Sequence, residues 1–330
     1  MIAYLSTLGV LVSIAALVGL ALNFQWGVAG LVNFGVVGFV ALGAYATALL
    51  APHIGWFGAM VAAAAVSAAA STILAFLSIR LADDYLAIVT IGFGEIVGIL
   101  LLNEDWLTGG AIGISDIPRP FSGLVPVARY DAVLLCFSIV LVALAFVTLE
   151  MLVRSPFGRA LRAVRDDPTV ACALGKPVLL LRIKAFAIGG AVMGIAGALH
   201  AFFLTYIDPG QFTSIITAYA FMAVILGGRG SNIGLLIGVC TIMALIEATR
   251  FLKDVLQVVD GAQLSALRLG LVGIGIILLL ILKPQGLLPE PRKQVRDFFP
   301  ESEEDAEASR SSPGRSAFDS FESGFSKTEL

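Results

Sequence analysis

Long apolar runs constrain this chain more than any other feature of its sequence. About nine segments are rich in Leu, Ile, Val, Ala, Phe and Gly and carry almost no charge. A helix needs roughly 20 apolar residues to cross the hydrocarbon core of a bilayer. We therefore predict an all-α, polytopic membrane protein, a helical bundle of about nine transmembrane segments. The predicted segments are residues 2–22, 27–50, 56–79, 85–102, 131–152, 183–206, 212–226, 233–249 and 265–282.

The composition supports the same conclusion. Hydrophobic residues make up 58% of the chain and charged residues only 14%, whereas soluble domains carry about 25% charged residues. The 35 glycines would weaken helices in water, but membrane helices use glycine to bring their backbones close together. A soluble fold of this length is therefore excluded.

Basic residues indicate how the chain is oriented. They concentrate between residues 153 and 184, and the positive-inside rule places such a cluster in the cytoplasm. Counting spans from this loop predicts a bacterial inner-membrane protein with a periplasmic N-terminus and a cytoplasmic C-terminal tail. The count requires the short segment 212–226 to cross fully, although a tilted or re-entrant helix is the open alternative. The basic residues are Arg154, Arg159, Arg162, Arg165, Lys176, Arg182 and Lys184.

The composition changes near the C-terminus. Residues 1–288 are expected to form the transmembrane domain, and residues 289–330 are rich in Glu, Asp, Ser and Pro. Such a segment cannot bury a core, which predicts a disordered, acidic cytoplasmic tail. The alternative is a short docking helix, because Phe318, Phe321 and Phe325 share one helical face.

The sequence of the basic loop, residues 153–182, predicts two short helices within "SPFGRALRAVRDDPTVACALGKP". Asp167 followed by Pro168 is a strong start signal for the second helix. Gly175 is a natural stop. Two capped helices predict a loop with a defined shape.

The apolar residues of this loop predict a contact with another protein. Leu161, Val164, Val170 and Leu174 would form a face that is buried in a protein groove, with the arginines at its rim. The alternative is a basic anchor that lies on anionic lipid. Lipid attraction does not require two capped helices, so we favour the protein contact.

Six fragments, in order over about residues 15–288, resemble one known family. They are "GVAGLVNFGVVGFVALGAY", "YLAIVTIGFGEIV", "LTGGAIGI", the basic loop, "AFAIGGAVMGIAGALHAFFLTYIDPGQF" and "LGGRGSNIGLLIG". The chain is similar to the LivM-type permease subunits of branched-chain amino-acid ABC importers. The resemblance implies an ABC importer permease fold and uptake of branched-chain or other apolar amino acids.

The resemblance also implies partners and a role for the basic loop. Family members work with a second, LivH-like permease, two ABC ATPase subunits that bind ATP and Mg²⁺, and a periplasmic amino-acid-binding protein. The chain itself would bind the lipid bilayer, no cofactor, no metal and no nucleic acid. In the family this loop inserts into a groove of the ATPase subunit. The residues expected to couple it to the ATPase are Gly158, Arg159, Arg162, Arg165, Asp166, Asp167, Pro168, Val170, Leu174 and Gly175.

A few polar or glycine-rich positions are candidates for the translocation pathway. Glu95 is a carboxylate deep in an apolar run, where a charge is costly and suggests function; the alternative is a hydrogen bond that fixes helix packing. Asn33 belongs to a polar, glycine-rich stretch with Asn23 and Gln25. That stretch predicts either a broken helix near the pathway or a cytoplasmic turn. The remaining candidates, in an external loop, are Thr108, Gly109 and Gly110.

Missing motifs exclude other functions. The sequence contains no G-x-x-x-x-G-K-[ST] phosphate loop and no H-E-x-x-H motif, so we expect no enzyme activity and ATP hydrolysis in partner subunits. A stand-alone secondary transporter would need several charges within the membrane. The apolar segments of this chain carry almost none, which disfavours that class of protein. A urea or short-chain amide permease of the same fold is the remaining alternative for the substrate.

Overall fold

The computed structural model describes residues 2–78, 83–122, 126, 129–255, 270, 273 and 287–288. Within these ranges the protein is helical, and the only extended pairing is an isolated bridge between Ile114 and Ile207. All but two residues of the predicted segment 265–282, and the predicted tail 289–330, lie outside the described residues. The helices are α1 (Ile2–Leu22), α2 (Val36–Ser78), α3 (Asp83–Asn103), α4 (Asp105–Thr108), α5 (Tyr130–Arg154), α6 (Pro156–Asp166), α7 (Pro168–Ala173), α8 (Val178–Leu204), α9 (Ser214–Gly227) and α10 (Asn232–Val255).

The long apolar helices coincide with the predicted segments. Among the described residues, six helices are long and apolar enough to cross a membrane, and Asn232–Ala248 is a shorter apolar helix. The all-α membrane fold is therefore confirmed. The count of nine segments stays a prediction, because the last segment lies largely outside the described residues.

Helix α2 is two antiparallel arms rather than one long rod. The Ser67 hydroxyl donates a hydrogen bond to the Phe39 carbonyl at 2.9 Å, although in a straight helix these residues would lie about 42 Å apart. The fold-back occurs at Gly55, whose φ of 76° and ψ of 166° are not helical. Pro52, just before it, cannot donate an amide to the helix. The predicted segments 27–50 and 56–79 correspond to these two arms, with the first arm starting only at Val36.

Helix α8 packs against both arms through glycines. A Cβ atom on Gly197 would come within 2.1 Å of the Val40 carbonyl oxygen, and one on Gly194 within 2.4 Å of the Ala63 oxygen. Only glycine allows such close backbone approach. The glycine-rich stretch "IGGAVMGIAGAL" is therefore the packing surface that holds the α2 hairpin.

Helix α9 connects the two ends of the bundle. Ile207, just before α9, pairs with Ile114. The Gly230 amide, just after α9, donates a hydrogen bond to Asn23, which directly follows the C-terminal end of α1. Its 14 residues span about 21 Å, and the turn Pro209–Gln211 precedes them. The short segment 212–226 thus runs from one end of the bundle to the other.

Candidate coupling and translocation site

A helix break follows α1 in the interior of the protein. Residues Asn23–Val28 form a π-helical turn, and residues 29–35 are not helical before α2 begins. Asn23, Gln25 and Asn33 are all fully buried, each with 0% exposure. Non-helical backbone at membrane depth is tolerated only inside protein or around a water-filled cavity, which fits this buried break.

The Asn23 side chain joins the break to α10 and α5. Its Oδ1 accepts the Gly230 amide at 2.9 Å, and its Nδ2 donates to Asn232 Oδ1 at 2.9 Å. Asn232 Nδ2 in turn donates to Glu150 Oε2, also at 2.9 Å. Asn232 and Glu150 were missed in the sequence, because they lie 209 and 127 residues from Asn23 and nothing local pairs them.

A second set of hydrogen bonds satisfies the other polar groups of the break. Asn33 Nδ2 donates to Gln25 Oε1 at 2.8 Å, and Gln25 Nε2 donates to the Phe186 carbonyl at 3.1 Å. Asn33 Oδ1 accepts the Gly35 amide at 2.9 Å. Asn33 therefore shapes the buried backbone, and its place in a translocation pathway stays a prediction.

The basic loop contacts the break directly. Arg165 Nη1 donates a hydrogen bond to the Gly27 carbonyl, and a Cβ on Gly30 would come within 2.6 Å of Arg165 Cγ. The Gly30 φ of 75° and the missing side chain both make room for this arginine. Arg165 thus links α6 to the unwound end of α1.

A second arginine covers the same break from the α9–α10 turn. The Arg229 guanidinium lies 4.2 Å from the centroid of the Trp26 ring, a cation–π distance. Partial burial and then the positive charge of Arg165 lower the pKa of Arg229. The α9–α10 turn and the basic loop therefore influence each other electrostatically at the break.

The two helices predicted for the basic loop are present and capped. Ser155 Oγ accepts the Gly158 amide at 3.4 Å at the start of α6. Asp167 Oδ1 accepts the Thr169 and Val170 amides at 2.8 and 3.0 Å at the start of α7. These backbone bonds lower the pKa of the Asp167 carboxyl group, because they favour its charged form.

The apolar residues of the loop divide into two groups. Leu161 and Val164 are 0% and 1% exposed, packed inside the chain, so the prediction that they enter a partner's groove is wrong. Val170 and Leu174 are 54% and 73% exposed. The surface available to a partner is therefore the tip formed by α7 and the residues that follow it.

The other predicted loop residues take distinct places. Gly158 is buried. Only glycine fits there, because a Cβ atom would come within 2.2 Å of the Val153 carbonyl oxygen. Arg162 Nη2 donates to that same Val153 oxygen at 3.3 Å. Gly175 has a φ of 74°, which suits a glycine at the end of α7. The exposed members are Arg159, Asp166, Asp167, Pro168, Val170, Leu174 and Gly175.

The predicted external candidates build a rigid turn after α4. The Thr108 hydroxyl donates a hydrogen bond to the Leu101 carbonyl oxygen at 2.7 Å. The same Oγ1 accepts a hydrogen bond from the Gly110 amide at 3.2 Å. Thr108 is 3% exposed, and Gly109 and Gly110 have positive φ values of 72° and 56°. Thr108 therefore stabilises the turn, and its place in a translocation pathway stays a prediction.

The turn presents two large apolar side chains at the surface. The loop is held by the Ile114–Ile207 bonds of 2.9 and 3.0 Å and by the Tyr206 hydroxyl, which donates to the Ile112 carbonyl at 2.7 Å. Trp106 and Ile112 are each 81% exposed. This surface lies at the opposite end of the bundle from the basic loop.

Glu95 lies on the exposed side of α3. The Ser214 hydroxyl, at the start of α9, donates to Glu95 Oε1 at 3.0 Å. The carboxylate therefore contacts a neighbouring helix and also reaches the surface of the subunit.

An apolar cavity of about 150 Å³ lies between α1, α9 and α10. Its walls include Ile14, Tyr219 and Met243, and His200 supplies a polar edge. His200 Nε2 lies 3.2 Å from Gln211 Oε1. The cavity was not predicted, since its residues come from distant segments.

Comparisons with known proteins agree with this architecture. The family described as "Branched-chain amino acid transport system / permease component" matches residues 4–282. The chain is 36% identical over 314 residues to the high-affinity branched-chain amino acid transport system permease protein LivM of Escherichia coli, covering 87% of this chain and 70% of that protein. It is 28% identical over 307 residues to the corresponding LivH of Escherichia coli, covering 84% and 91%.

A more distant relative carries a different substrate in its name. The guanosine ABC transporter permease protein NupQ of Bacillus subtilis is 28% identical over 192 residues, which cover 52% of this chain and 59% of that protein. No solved structure matches the chain.

Proposed function

The chain belongs to the family of permease components of branched-chain amino acid transport systems, and we propose that it forms half of a pathway for branched-chain or other apolar amino acids. It is an ABC importer permease subunit, a transport protein and not an enzyme. The relatives named LivM and LivH both align with it over most of its length. A LivH-like permease is therefore its expected partner in the membrane.

The complete assembly contains two ABC ATPase subunits and a periplasmic amino-acid-binding protein. The sequence lacks a phosphate loop, so ATP and Mg²⁺ bind to the ATPase subunits. The substrate assignment rests on the names of the relatives and on the apolar lining of the cavity.

The contacts at the two ends of the bundle support the proposed orientation. The end of α1, the basic loop and the α9–α10 turn meet at one end, and the counting of spans placed all three in the cytoplasm. The loops around Ile114 and Ile207 meet at the other end, which the same counting of spans places outside. With the arginines on the cytoplasmic side, the N-terminus is periplasmic.

The observation that carries the mechanism is the contact of Arg165 with the break after α1. The exposed tip at Val170 and Leu174 docks on an ATPase subunit, and the buried half of the loop is fixed to the membrane helices through Leu161, Val164 and Arg165. A displacement of the tip is therefore passed to the Gly27 backbone. From the Gly27 backbone, the hydrogen bonds that join Asn23, Asn232 and Glu150 pass the displacement to α10 and α5.

Reconstitution tests this function. Liposomes containing this chain, a LivH-like permease, both ATPase subunits and the binding protein should accumulate leucine only with ATP. Liposomes that contain this chain alone should show no uptake. ATP-independent uptake by the single chain would contradict the proposal.

A further inference from the structure

We propose that Glu95 is the subsite that receives the positively charged ammonium group of an amino acid during its passage. The proposal rests on the proposed function, since it names the substrate group that one wall of that pathway recognises. The site is the exposed face of α3 around this carboxylate. We define the Glu95 face as Ile91, Gly92, Glu95, Gly98 and Ile99.

The carboxylate lies at membrane depth. Eight residues separate Glu95 from the nearer end of α3 at Asn103, about 12 Å along the helix. A charge at this depth is costly against acyl chains and faces a partner or a water-filled cavity. An exposed carboxylate at this depth is therefore better accommodated by a water-filled pathway than by lipid.

The two sides of α3 differ in burial. Thr90, Gly94 and Val97 face the interior of the subunit, whereas Ile91 and Ile99 are 48% and 58% exposed. Glu95 occupies the middle of the exposed side, because it follows Ile91 by four residues and precedes Ile99 by four. The carboxylate is thus set among branched aliphatic side chains on an outward surface.

The surface beside the carboxylate is open. A Cβ atom built on Gly92 or on Gly98 meets no atom within 4 Å. These glycines are not needed for packing within this subunit, unlike Gly194 and Gly197 of α8. They leave room next to Glu95 for a small ligand.

The hydrogen bonding of Glu95 leaves an acceptor available. The Ser214 hydroxyl binds Oε1 at 3.0 Å and orients the carboxylate. Within the described residues, Oε2 has no hydrogen-bond partner. An ammonium group can donate to it, and charge-assisted bonds of this kind are about twice as strong as neutral ones.

Two other acids in the long apolar helices, Glu150 and Glu247, have different surroundings. Glu150 pairs with Arg154 at 2.7 Å, and Glu247 accepts a hydrogen bond from the Tyr4 hydroxyl. Among the residues that the structure describes, neither a cation nor a phenol contacts Glu95, and Ser214 is its hydrogen-bond partner. Its charge is therefore left for a ligand that is itself a cation.

The first test is Glu95→Gln in the complete reconstituted importer. The amide keeps the shape and the Ser214 bond but cannot pair with a cation. Leucine uptake per ATP hydrolysed should fall about 10-fold, the loss expected when a charged hydrogen-bond acceptor is neutralised. Ser214→Ala, which keeps the carboxylate, should cost less. Normal uptake by Glu95→Gln would overturn the proposal.

A second test does not depend on the Gln variant. Gly98→Cys is placed in a chain whose Cys136, Cys172 and Cys240 are replaced by Ser, and the thiol is treated with a water-soluble cationic methanethiosulfonate. Labelling that slows in the presence of leucine-loaded binding protein and nucleotide supports the subsite. A thiol that stays unlabelled in every nucleotide state would overturn it, because the face would then be closed to water.

Failure of the subsite can be told from failure of the proposed function. A wild-type importer that takes up no branched-chain amino acid contradicts the function itself. A wild-type importer that takes up leucine, together with a normal Glu95→Gln variant, contradicts the subsite alone.

Discussion

Single polar residues fix how the basic loop and the break after α1 are joined. Arg165 lies in α6 of the basic loop, and its guanidinium donates a hydrogen bond to the Gly27 carbonyl of the break. Gly30 gives it space. This contact therefore adds a polar link to the packing of Leu161 and Val164, which also holds the loop to the rest of the chain.

Arg165→Ala should weaken transport without removing the ATPase subunits. A hydrogen bond from a charged donor contributes about 1.5–3 kcal/mol, so uptake per ATP should fall about 10-fold or more while co-purification of the ATPase is retained. Lys184→Ala, an exposed cation in α8, is the control and should behave as wild type. Unchanged uptake by Arg165→Ala would show that the contact transmits nothing.

Asn232→Leu should lower the stability of the folded chain. The change removes the partner of the buried Asn23 amide, and an unsatisfied buried polar group costs about 1–3 kcal/mol. The melting temperature in detergent should fall, whereas Asn103→Leu, at the exposed end of α3, should change it little. Equal melting temperatures would mean that the Asn23 network is not stabilising.

At the scale of elements, glycine decides which helices approach each other. The α2 hairpin turns at Gly55, and α8 packs on both arms through its own glycines. Helix association in lipid depends on such close packing. The position of α8 against the α2 hairpin, and with it the Phe186 carbonyl that binds Gln25, therefore follows from these small residues.

Gly197→Ala should destabilise the bundle. The added methyl group would lie within 2.1 Å of the Val40 carbonyl oxygen, so helix α8 must move away from α2. Overpacking of this kind costs about 1–3 kcal/mol. Gly92→Ala, where nothing lies within 4 Å, is the matched control for thermal stability in detergent. A Gly197→Ala melting temperature equal to that of the control would contradict this packing.

Local elements could be predicted from the sequence, and long-range contacts could not. The apolar run at 2–22 matches α1, and the Asp167–Pro168 pair marks the start of α7, since each depends on neighbouring residues. The burial of Leu161 and Val164 was not predictable, because their partners are distant in the chain. The same holds for the pairing of Asn23 with Asn232.

At the scale of the whole molecule, two exposed surfaces lie at opposite ends of the helical bundle. One end carries the exposed tip at Val170 and Leu174, and the opposite end carries Trp106 and Ile112. Between them lie the buried break and the Glu95 face. Exposed surfaces at both ends agree with the proposal that this permease binds an ATPase subunit at one end and a binding protein at the other.

Truncation after Pro291 should leave folding and ATP-dependent uptake intact. The family match ends at residue 282, so the acidic tail is not part of the shared architecture. The measurement is uptake by the truncated chain in the complete importer, beside the full-length chain. Loss of assembly would instead indicate that Phe318, Phe321 and Phe325 form a docking element.

We propose that the basic loop transmits ATP hydrolysis to the membrane helices, and a charge introduced at the exposed tip tests this coupling. Val170→Asp and Leu174→Asp should weaken docking, because burying one such side chain is worth about 1.5–3 kcal/mol. Val170→Thr keeps the shape and is the control.

The measurement is ATPase activity and leucine uptake, side by side, in the same reconstituted importers. Uptake per ATP should fall about 10-fold or more in both Asp variants, or the ATPase subunits should be lost, while Val170→Thr stays close to wild type. Normal uptake with normal ATPase stimulation in the Asp variants would show that the loop does not couple the ATPase to the membrane helices, and would favour a lipid anchor.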